Sequence, residues 1–315
     1  NIIAEDEEGE KYRSAVSENF GAAVLENNTK WKTYEKNPQK TADMLSTLQE
    51  LGVSKLRGHV LIWDKDEKYP TDVSDYVKNG DREAFQAAIK NHIIKFTSEL
   101  KTYINEWDVL NEAVDVVFAQ TTFGNDIVPE WYDMAREALG EDGILYYNDF
   151  VITHELFDIL DRFKEQGVDY DGIGIQSHLS VYNRTPEETY DFYSQLAEKY
   201  EKRLKVTEFS IDLSPDEISE EYRANYFRDF LIASFSEESM DGFLLWWFKD
   251  WADGPDADKF SKHDGQMLYD INWNLKLAGK EWQDLVYNKW WTRESLATDE
   301  NGKVSLRGFY GDYDV

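Results

Sequence analysis

The sequence predicts an α/β protein with the (β/α)8 architecture, a TIM barrel, and three observations support this prediction. Its 315 residues suit one large domain. Short apolar segments alternate with amphipathic stretches along the chain, a pattern typical of a parallel sheet covered by helices. No linker rich in proline, glycine or serine divides the sequence, so we predict that residues 1–315 form a single domain.

The predicted strands and helices follow one another in regular order. The segments that predict strands are Phe20–Leu25, Leu56–Ile62, Tyr103–Leu110, Ile144–Tyr147, Gly172–Ile175, Leu204–Thr207 and Gly242–Trp246. The stretches that predict helices are Glu8–Asn19, Thr41–Leu51, Arg82–Thr102, Ile152–Gln166 and Pro186–Lys202. This barrel needs eight strands, and without the first one two strand edges stay unpaired. We therefore expect the first strand to precede Asn1, or to lie on another segment of a split domain.

The composition excludes several classes of function. A formal net charge of −29 repels nucleic acid and anionic membranes, and no apolar run reaches the roughly 18 residues of a membrane span. We therefore predict no nucleic-acid partner and no membrane insertion. Because the chain has no cysteine, it has no disulfide, no thiolate nucleophile and no cysteine-based zinc site. It also lacks a P-loop and the His-Glu-x-x-His pattern, which disfavours phosphate enzymes and metal hydrolases.

Polar residues cluster directly after the predicted strands. They are Glu26, Asn27, Lys30, His59, Trp63, Asn111, Glu112, Asn148, Asp149, Gln176, His178, Glu208, Trp246 and Trp247. In a barrel of this kind the carboxyl ends of the strands form the active face. Polar groups that reach this face from all the predicted strands are hard to explain by packing, so we predict a functional site there.

Two glutamates stand out among these residues. Glu112 follows the run Trp107–Asn111, and Glu208 ends the run Leu204–Thr207. Retaining glycoside hydrolysis needs two carboxylates about 5–5.5 Å apart, one that attacks the anomeric carbon and one that protonates the leaving oxygen. The acid must hold its proton near neutral pH, which a negatively charged neighbour favours. Either glutamate alone could be a structural carboxylate near a helix N-terminus, but the pair at two strand ends favours catalysis.

Several segments carry a resemblance to a known family. They are Glu26–Trp31, Arg57–Trp63, Trp107–Ala113, Gly172–Leu179, Val206–Phe209 and the tail Trp290–Tyr313. In this order they resemble glycoside hydrolase family 10, the endo-β-1,4-xylanases, whose fold is a (β/α)8 barrel. Trp107–Ala113 resembles the family's acid/base signature, Trp-Asp-Val-Val-Asn-Glu-Ala, and Val206–Phe209 resembles its nucleophile strand. The tail is similar to that of the plant members.

The resemblance implies a role for each residue of the predicted site. Glu112 would be the acid/base and Glu208 the nucleophile, with His178 hydrogen-bonded to Glu208. Trp246 would be a platform for a sugar ring, and Trp63 would pack nearby. The residues implied to hydrogen-bond a xylose just beyond the reactive sugar are Glu26, Asn27 and Lys30. Those implied to line the pocket of the reactive sugar are His59, Gln176 and Asn111, the last at the 2-hydroxyl.

The chain departs from the family pattern at three places. Asp64 follows Trp63, where the common bacterial pattern has a histidine and plant-like members have an aspartate. Ser210 stands where the family usually has an aspartate that partners the histidine at position 178; a serine accepts a hydrogen bond but brings no charge. Trp247 replaces a glycine near the last strand. Among the remaining tryptophans, Trp247 and Trp251 are further candidates for aromatic contacts with sugars.

We therefore expect an endo-β-1,4-xylanase that acts with retention of configuration on xylan or xylo-oligosaccharides. One alternative is a related β-glycanase or exo-acting glycosidase, which the altered loops Asp64–Pro70 and Trp247–Lys262 suggest. The other is a non-catalytic carbohydrate-binding barrel, against which both glutamates argue.

The resemblance implies no cofactor and no catalytic metal, although a structural Ca²⁺ would suit so acidic a surface. Because the polymer cannot enter a cell, we expect extracellular or cell-surface action. Carbohydrate-binding modules elsewhere in the full polypeptide would be in keeping with action on such a polymer.

Overall fold

The structure of the chain is a computed structural model that describes residues 2–115, 117–179, 184–211, 218–250, 268–309 and 313. These residues divide into two units. The first contains Asn1–Leu179, Glu187–Ser210 and Ala233–Trp246, and the second contains Ser180–Pro186, Ile211–Ile232 and Trp247–Val315. All the residues of the predicted catalytic and sugar-binding site belong to the first unit. The single domain over residues 1–315 stays a prediction.

The strands form one sheet. They are β1 (Ala22–Val24), β2 (Lys55–Gly58), β3 (Ile62–Trp63), β4 (Ile104–Asn111), β5 (Ile144–Asp149), β6 (Gly172–Ile175), β7 (His178–Leu179), β8 (Arg203–Ile211) and β9 (Met240–Leu245). The long strands pair in parallel in the order β1-β2-β4-β5-β6-β8-β9, while β3 pairs with β4 and β7 with β8. This parallel, nearly closed sheet confirms the predicted barrel. Among the described residues β1 and β9 form the two edges, and the place of an eighth strand stays a prediction.

The helices follow the strands in alternation. They are α1 (Glu7–Asn19), α2 (Trp31–Lys36), α3 (Pro38–Glu50), α4 (Thr71–Lys78), α5 (Arg82–Leu100), α6 (Phe118–Phe123), α7 (Ile127–Leu139), α8 (His154–Gln166), α9 (Pro186–Tyr200), α10 (Glu220–Ser236) and α11 (Leu277–Asp284). Side-chain caps begin several of them: Asp6 accepts from the Gly9 amide at 2.8 Å, and Asp81 accepts from the Ala84 amide at 3.0 Å. No helix in the described part of the chain is long and apolar enough to cross a membrane.

The predicted strand Leu56–Ile62 is divided into β2 and β3. Between them, the backbone amide and carbonyl of His59 both bond to the hydroxyl of Thr29, at 3.2 and 2.8 Å. A side chain that satisfies both backbone groups competes with the strand ladder. The interruption turns the chain at His59, a residue of the predicted site, and the ladder resumes at Ile62, opposite Leu110 of β4.

The strands of the first unit place apolar and charged side chains on opposite faces. Trp107 of β4 is fully buried and packs on Phe96 of α5, with ring centroids 5.9 Å apart. Its neighbour Glu106 points the other way and pairs with Lys205 of β8, whose Nζ lies 2.6 and 2.7 Å from the two carboxylate oxygens. Because β5 and β6 separate β4 from β8 in the sheet, this ion pair crosses the barrel interior.

The second unit has its own small core. Phe227 of α10 stacks on Trp282 of α11, with ring centroids 6.3 Å apart. Lys276 and Asp250 form a buried ion pair at 2.8 Å, so both charges in this part of the unit are compensated.

Candidate active site

Glu112 is the first residue after β4, and its backbone lies in the left-handed region, with a φ of 56°. Three hydrogen bonds to β5 hold this turn. The amide of Glu112 donates to the Asn148 carbonyl at 2.9 Å, and the amides of Ala113 and Val114 donate to the side chains of Tyr147 and Asp149 at 3.2 and 3.3 Å. A non-glycine residue in this region costs free energy and is found where the surroundings enforce it, commonly at functional sites.

The carboxylate of Glu112 accepts three hydrogen bonds. Oε1 accepts from Gln176 Nε2 at 3.0 Å. Oε2 accepts from the indole of Trp63 at 3.1 Å and from the ammonium of Lys65 at 3.0 Å. The side chain is 13% exposed, so it is held by the protein yet open to a ligand. Trp63 and Gln176 were predicted for this site, whereas Lys65 was not.

Glu208 lies within β8 and is more deeply buried, at 7% exposure. Its Oε1 accepts from Asn148 Nδ2 at 3.1 Å, and its Oε2 lies 3.2 Å from His178 Nε2. Burial alone would raise the pKa of Glu208. The hydrogen bond to His178, the positive potential of His59 and His178, and the bond from Asn148 outweigh burial, and the pKa of Glu208 is lowered. This carboxylate is therefore ionised at neutral pH, as a nucleophile requires.

His178 has a partner at each ring nitrogen. While Nε2 faces Glu208, Nδ1 lies 2.8 Å from the hydroxyl of Ser210. The serine that replaces the family's usual aspartate therefore takes its place as the hydrogen-bond partner of the histidine. Trp246 follows β9 and meets the His178 ring edge-on, with centroids 5.4 Å apart and an interplanar angle of 87°. The two rings form one aromatic wall beside Glu208.

A chain of side-chain amides connects the two carboxylates. Asn148 Nδ2, which donates to Glu208, also donates to Asn111 Oδ1 at 2.9 Å. Gln176 Nε2, which donates to Glu112, lies 3.5 Å from the same oxygen of Asn111. These contacts orient the Asn111 amide, and its Nδ2 is buried without a hydrogen-bond partner among the described residues. A buried amide donor left unpaired costs about 1–3 kcal/mol, so it is ready to bind a ligand oxygen.

Two charged residues, Asp108 and Arg57, fix the orientation of His59. Its Nδ1 lies 2.8 Å from Asp108 Oδ2, and the guanidinium of Arg57 donates to both oxygens of the same carboxylate. Because the Asp108 carboxylate also accepts from Arg57, His59 Nδ1 is the donor in this contact. The other ring nitrogen, Nε2, is the one that His59 can present to a ligand.

The residues after β1 form a short polar chain. Asn27 donates to Glu26 Oε1 at 2.8 Å and accepts from Lys30 Nζ at 3.0 Å. Burial lowers the pKa of Lys30, and the negative charges of Glu26, Glu208 and Glu112 partly oppose this effect. The Lys30 ammonium is therefore close enough to Glu112 and Glu208 for their charges to act on it. This position agrees with the predicted contact of Lys30 with the sugar next to the reactive one.

The structure explains one departure from the family pattern. Asp64 is 3% exposed, and its carboxylate accepts from the amides of Ala119 and Gln120 at 2.7 and 3.0 Å and from the Tyr69 hydroxyl at 3.0 Å. It thus satisfies free amides in the first turn of α6. Asp64 is a structural residue of the loop that carries Lys65. Of the two further aromatic candidates, Trp247 belongs to the second unit, and Trp251 lies outside the described residues.

Three residues touch the site without a role assigned to them from the sequence: Asn148, Lys65 and Asp108. The position of Asn148 directly after a predicted strand already placed it at the active face, but its contact with Glu208 was not predicted. Lys65 and Asp108 carried no such signal, because their contacts depend on how β3 and β2 align with β4. Within the described ranges no group of three or more His, Asp or Glu side chains is placed to hold a metal ion. The expectations on metals and cofactors stay predictions.

Comparisons with known proteins agree with this geometry. The sequence profile of glycosyl hydrolase family 10 matches residues 2–284. Anti-sigma-I factor RsgI6 of Acetivibrio thermocellus is 28% identical over 313 residues, which cover 96% of this chain and 39% of that protein. Endo-1,4-beta-xylanase 5 of Pyricularia oryzae is 32% identical over 225 residues, which cover 65% of this chain and 53% of that protein. The chain thus spans roughly 39% to 53% of the length of these two relatives.

Solved structures show the same fold. Xylanase 10B from Thermotoga petrophila, crystallised in complex with xylobiose, superposes with a TM-score of 0.76 at 21% identity and covers 91% of each chain. Native xylanase 10C from Cellvibrio japonicus superposes with a TM-score of 0.76 at 20% identity and covers 90% of this chain and 67% of that one. The resemblance seen in the motifs is confirmed: the chain belongs to glycosyl hydrolase family 10.

Proposed function

We propose that this chain is an endo-β-1,4-xylanase that hydrolyses xylan with retention of configuration. The observation that carries the proposal is the pair Glu112 and Glu208, which lie at the ends of β4 and within β8 and are joined through the amides of Asn148, Asn111 and Gln176. Membership of the family supports it, as do the xylanase names of relatives. The neighbour bound to xylobiose supports a xylo-oligosaccharide as the ligand.

In the first step, the ionised carboxylate of Glu208 attacks the anomeric carbon and forms an ester bond with the sugar. The bond to the glycosidic oxygen breaks as Glu112 transfers its proton to that oxygen, and the shortened chain leaves. In the second step, Glu112 takes a proton from water. The resulting hydroxyl attacks the anomeric carbon from the opposite side and releases Glu208 as a carboxylate. Two inversions give net retention.

The unpaired Nδ2 of Asn111 has a specific place in this scheme. It is a buried donor beside Glu208, so it fits the 2-hydroxyl of the reactive sugar. Hydrogen bonds to this hydroxyl strengthen as charge develops in the oxocarbenium-like transition state. His59 Nε2 and Gln176 complete the polar lining of the same pocket.

The test is hydrolysis of unsubstituted β-1,4-xylan, with products resolved by size and the anomeric configuration followed by NMR. Wild type should release a ladder of xylo-oligosaccharides that are initially β. Glu208→Ala, which lacks the nucleophile, should release none. Absence of products with wild type would overturn the proposal for this chain. A ladder from Glu208→Ala would overturn the nucleophile assignment.

The size of the products separates this proposal from an exo-acting glycosidase. An endo-acting enzyme cuts within the polymer, so the first products cover a range of lengths. Release of only xylose or xylobiose from the earliest time points would instead favour exo action, in keeping with the altered loop that carries Asp64 and Lys65.

A second candidate is a carbohydrate-binding domain of a regulatory protein. The relative that covers 96% of this chain is named an anti-sigma-I factor, and it is much longer than the chain. Calorimetry with xylohexaose, run beside the hydrolysis assay, distinguishes the two. Tight binding by wild type without turnover would favour the regulatory candidate, whereas turnover favours the enzyme.

The proposed substrate also predicts where the protein acts. Xylan is too large to enter a cell, so we infer extracellular or cell-surface action. Fractionation of the native source with an antibody to this chain would test this inference. The length of the relatives is in keeping with further modules in the full polypeptide, which its complete sequence would reveal.

A further inference from the structure

Lys65 lies between two carboxylates, just after the ends of β3 and β4. Its ammonium nitrogen is 3.0 Å from Oε2 of Glu112 and 2.8 Å from Oδ2 of Asp115. The side chains of Lys65 and Glu112 are largely buried, so solvent screens their attraction only in part. The acid/base of the proposed mechanism is therefore bonded directly to a cation.

The loop around Lys65 is held by backbone hydrogen bonds. The Lys65 amide donates to the Trp63 carbonyl at 2.8 Å, and the Lys65 carbonyl accepts from the Lys68 amide at 2.9 Å. The carbonyl of Asp64, the residue before Lys65, accepts from the Phe118 amide at 2.9 Å. These bonds restrict the backbone that carries the ammonium, so its contact with the acid/base loses less conformational entropy than that of a lysine on a free surface.

Three side chains of the described residues bond to the Glu112 carboxylate, and all three are donors. Trp63 and Lys65 donate to Oε2, and Gln176 donates to Oε1. A carboxylate accepts about four hydrogen bonds, two at each oxygen. Both places on Oε2 are taken, so Oε1 has the lone pair that remains for the transferred proton. Because an ammonium can only donate, Lys65 favours the ionised form of Glu112.

The other titratable groups of the site act on Glu112 through space. Within the described ranges none of them hydrogen-bonds to its carboxylate: Lys30, His59, Lys68, Asp115, Tyr147, Asp149, His178 and Glu208. Burial raises the pKa of Asp149, and the negative charge of Glu112 raises it further. The acidic groups among these neighbours favour the protonated form of Glu112, and Lys65 opposes them.

Lys65 keeps its charge in this place. Burial would lower the pKa of Lys65, but the hydrogen bonds to Asp115 and Glu112 and the charges of both carboxylates outweigh burial, and the pKa of Lys65 is raised. The ammonium is therefore present across the whole pH range in which glutamates titrate. Its effect on Glu112 is the same at every pH at which the enzyme would work.

We propose that Lys65 is a positioning residue that sets the pH range of catalysis through Glu112. This inference rests on the proposed function, in which Glu112 must be protonated for the first step and ionised for the second. Because Lys65 stabilises the carboxylate, Glu112 gives up its proton at lower pH in the free enzyme and in the glycosyl-enzyme. The second step thereby extends to more acidic pH, and the first step ends earlier at alkaline pH.

The test follows the two steps of Lys65→Met separately against pH. The basic limb of kcat/KM for xylohexaose reports the loss of the Glu112 proton in the free enzyme. Decay of the glycosyl-enzyme trapped with a dinitrophenyl 2-fluoroxylobioside reports the second step, and its acidic limb shows where Glu112 takes up a proton. Both limbs should move to higher pH by about one unit, the low end of the effect of an opposite charge, since both side chains are partly exposed.

Three variants accompany this measurement. Asp115→Asn removes a negative charge and leaves the ammonium beside Glu112, so both limbs should move to lower pH. Lys65→Arg keeps the positive charge and should keep both limbs close to those of wild type. Lys32→Met is the control, because Lys32 is exposed and bonds to the same loop at the Glu67 carbonyl, at 3.1 Å. It should keep the wild-type limbs.

The outcomes separate this inference from the proposed function. If wild type cleaves xylohexaose and the limbs of Lys65→Met stay in place, the inference is overturned and the xylanase stands. The same holds if activity falls equally at every pH, which would mean that Lys65 only supports the loop. Movement of one limb without the other also overturns it, because one carboxyl group should set both. If wild type cleaves no xylohexaose, the proposed function fails, and this inference fails with it.

Discussion

His178 and Glu208 face each other with Nε2 of the imidazole 3.2 Å from Oε2 of the carboxylate. This contact is the largest of the causes that lower the pKa of Glu208 against its burial. The other ring nitrogen is fixed by Ser210 at 2.8 Å, so the ring is oriented from both sides. Glu208, the proposed nucleophile, is therefore kept ionised by a neighbour whose position depends on a neutral hydroxyl.

Replacement of His178 should move the acidic limb of the pH profile. In the proposed mechanism Glu208 acts as a carboxylate, so activity should fall with decreasing pH as Glu208 takes up a proton. His178→Ala removes an interaction that lowers the pKa of Glu208, hence that pKa rises and the acidic limb of kcat/KM shifts to higher pH. The profile is measured with an aryl β-xylobioside, and kcat/KM reports the free enzyme.

Ser210→Ala is the matched variant for this experiment. It leaves Nε2 beside Glu208 and removes only the bond that orients the ring, so its acidic limb should lie between those of wild type and His178→Ala. An acidic limb that stays in place in His178→Ala would show that the histidine does not govern the ionisation of Glu208.

The proposed role of Glu112 as acid/base predicts a dependence on the leaving group. Glu112→Ala removes the proton donor, which contributes about 10²–10⁴-fold to the rate when the leaving group is a poor one. Hydrolysis of xylan should therefore fall by a factor in that range. Formation of the ester from a dinitrophenyl xylobioside needs no proton and should be far less affected. The burst of dinitrophenol in a rapid-mixing experiment measures this step directly.

A comparison of the two substrates decides the assignment. Equal losses of the first step with xylan and with the aryl substrate would mean that Glu112 does not act as a proton donor. Gln176→Ala serves as a control, because it removes one hydrogen bond to Oε1 of Glu112 and leaves the Glu112 carboxylate in place. Its effect should be smaller than that of Glu112→Ala and should fall mainly on xylan.

The fold and the positions of the two carboxylates in it could be predicted because they depend on local patterns. Apolar strands in alternation with helices define the barrel, and polar residues after strands, such as Asn111 and Glu112, lie at the active face of any such barrel. The contact of Lys65 with Glu112 could not be predicted, since it depends on the pairing of β3 with β4 after the chain breaks at His59. At that break the hydroxyl of Thr29 bonds to both backbone groups of His59, and no pattern within Leu56–Ile62 indicates this contact.

The ion pair across the barrel should be important for stability. Lys205 is 9% exposed and Glu106 is 15% exposed, and both Glu106 oxygens accept from the ammonium. Lys205→Met leaves a largely buried carboxylate with Arg57 as its remaining partner, at 2.8 Å. Removal of one member of a buried pair costs about 3–5 kcal/mol, and the low end applies here because Arg57 stays. Urea denaturation at pH 7 measures this loss in the free energy of unfolding.

Lys90→Met is the control for a pair at the surface. Lys90 and Glu137 lie 2.8 Å apart with side chains 44% and 69% exposed. Exposed pairs contribute about 0–1 kcal/mol, so this variant should unfold close to wild type. A loss in Lys205→Met no greater than that in Lys90→Met would contradict a structural role for the interior pair.

His92 should make the stability of the protein sensitive to acid. Its ring is buried and stacks on Trp31, with centroids 3.6 Å apart, and Nε2 lies 2.9 Å from the Leu61 carbonyl. Burial lowers the pKa of His92 to about 3. In the unfolded chain a histidine titrates near pH 6.5. Between about pH 6.5 and 3 the unfolded chain therefore binds a proton at His92 that the folded protein does not bind. This contribution to stability is complete above pH 6.5 and is lost as the pH falls towards 3.

His92→Phe removes this linkage while it keeps an aromatic ring beside Trp31. Its free energy of unfolding should fall less steeply than that of wild type between pH 6 and 4, by about 1.4 kcal/mol per pH unit, the value of one proton. His154→Gln, at an exposed position of α8, should keep the wild-type slope. Urea denaturation across this pH range gives the slopes, and the comparison holds even if the loss of the bond to Leu61 lowers stability at every pH. Parallel slopes for wild type and His92→Phe would mean that His92 takes up its proton in the folded protein as readily as in the unfolded chain.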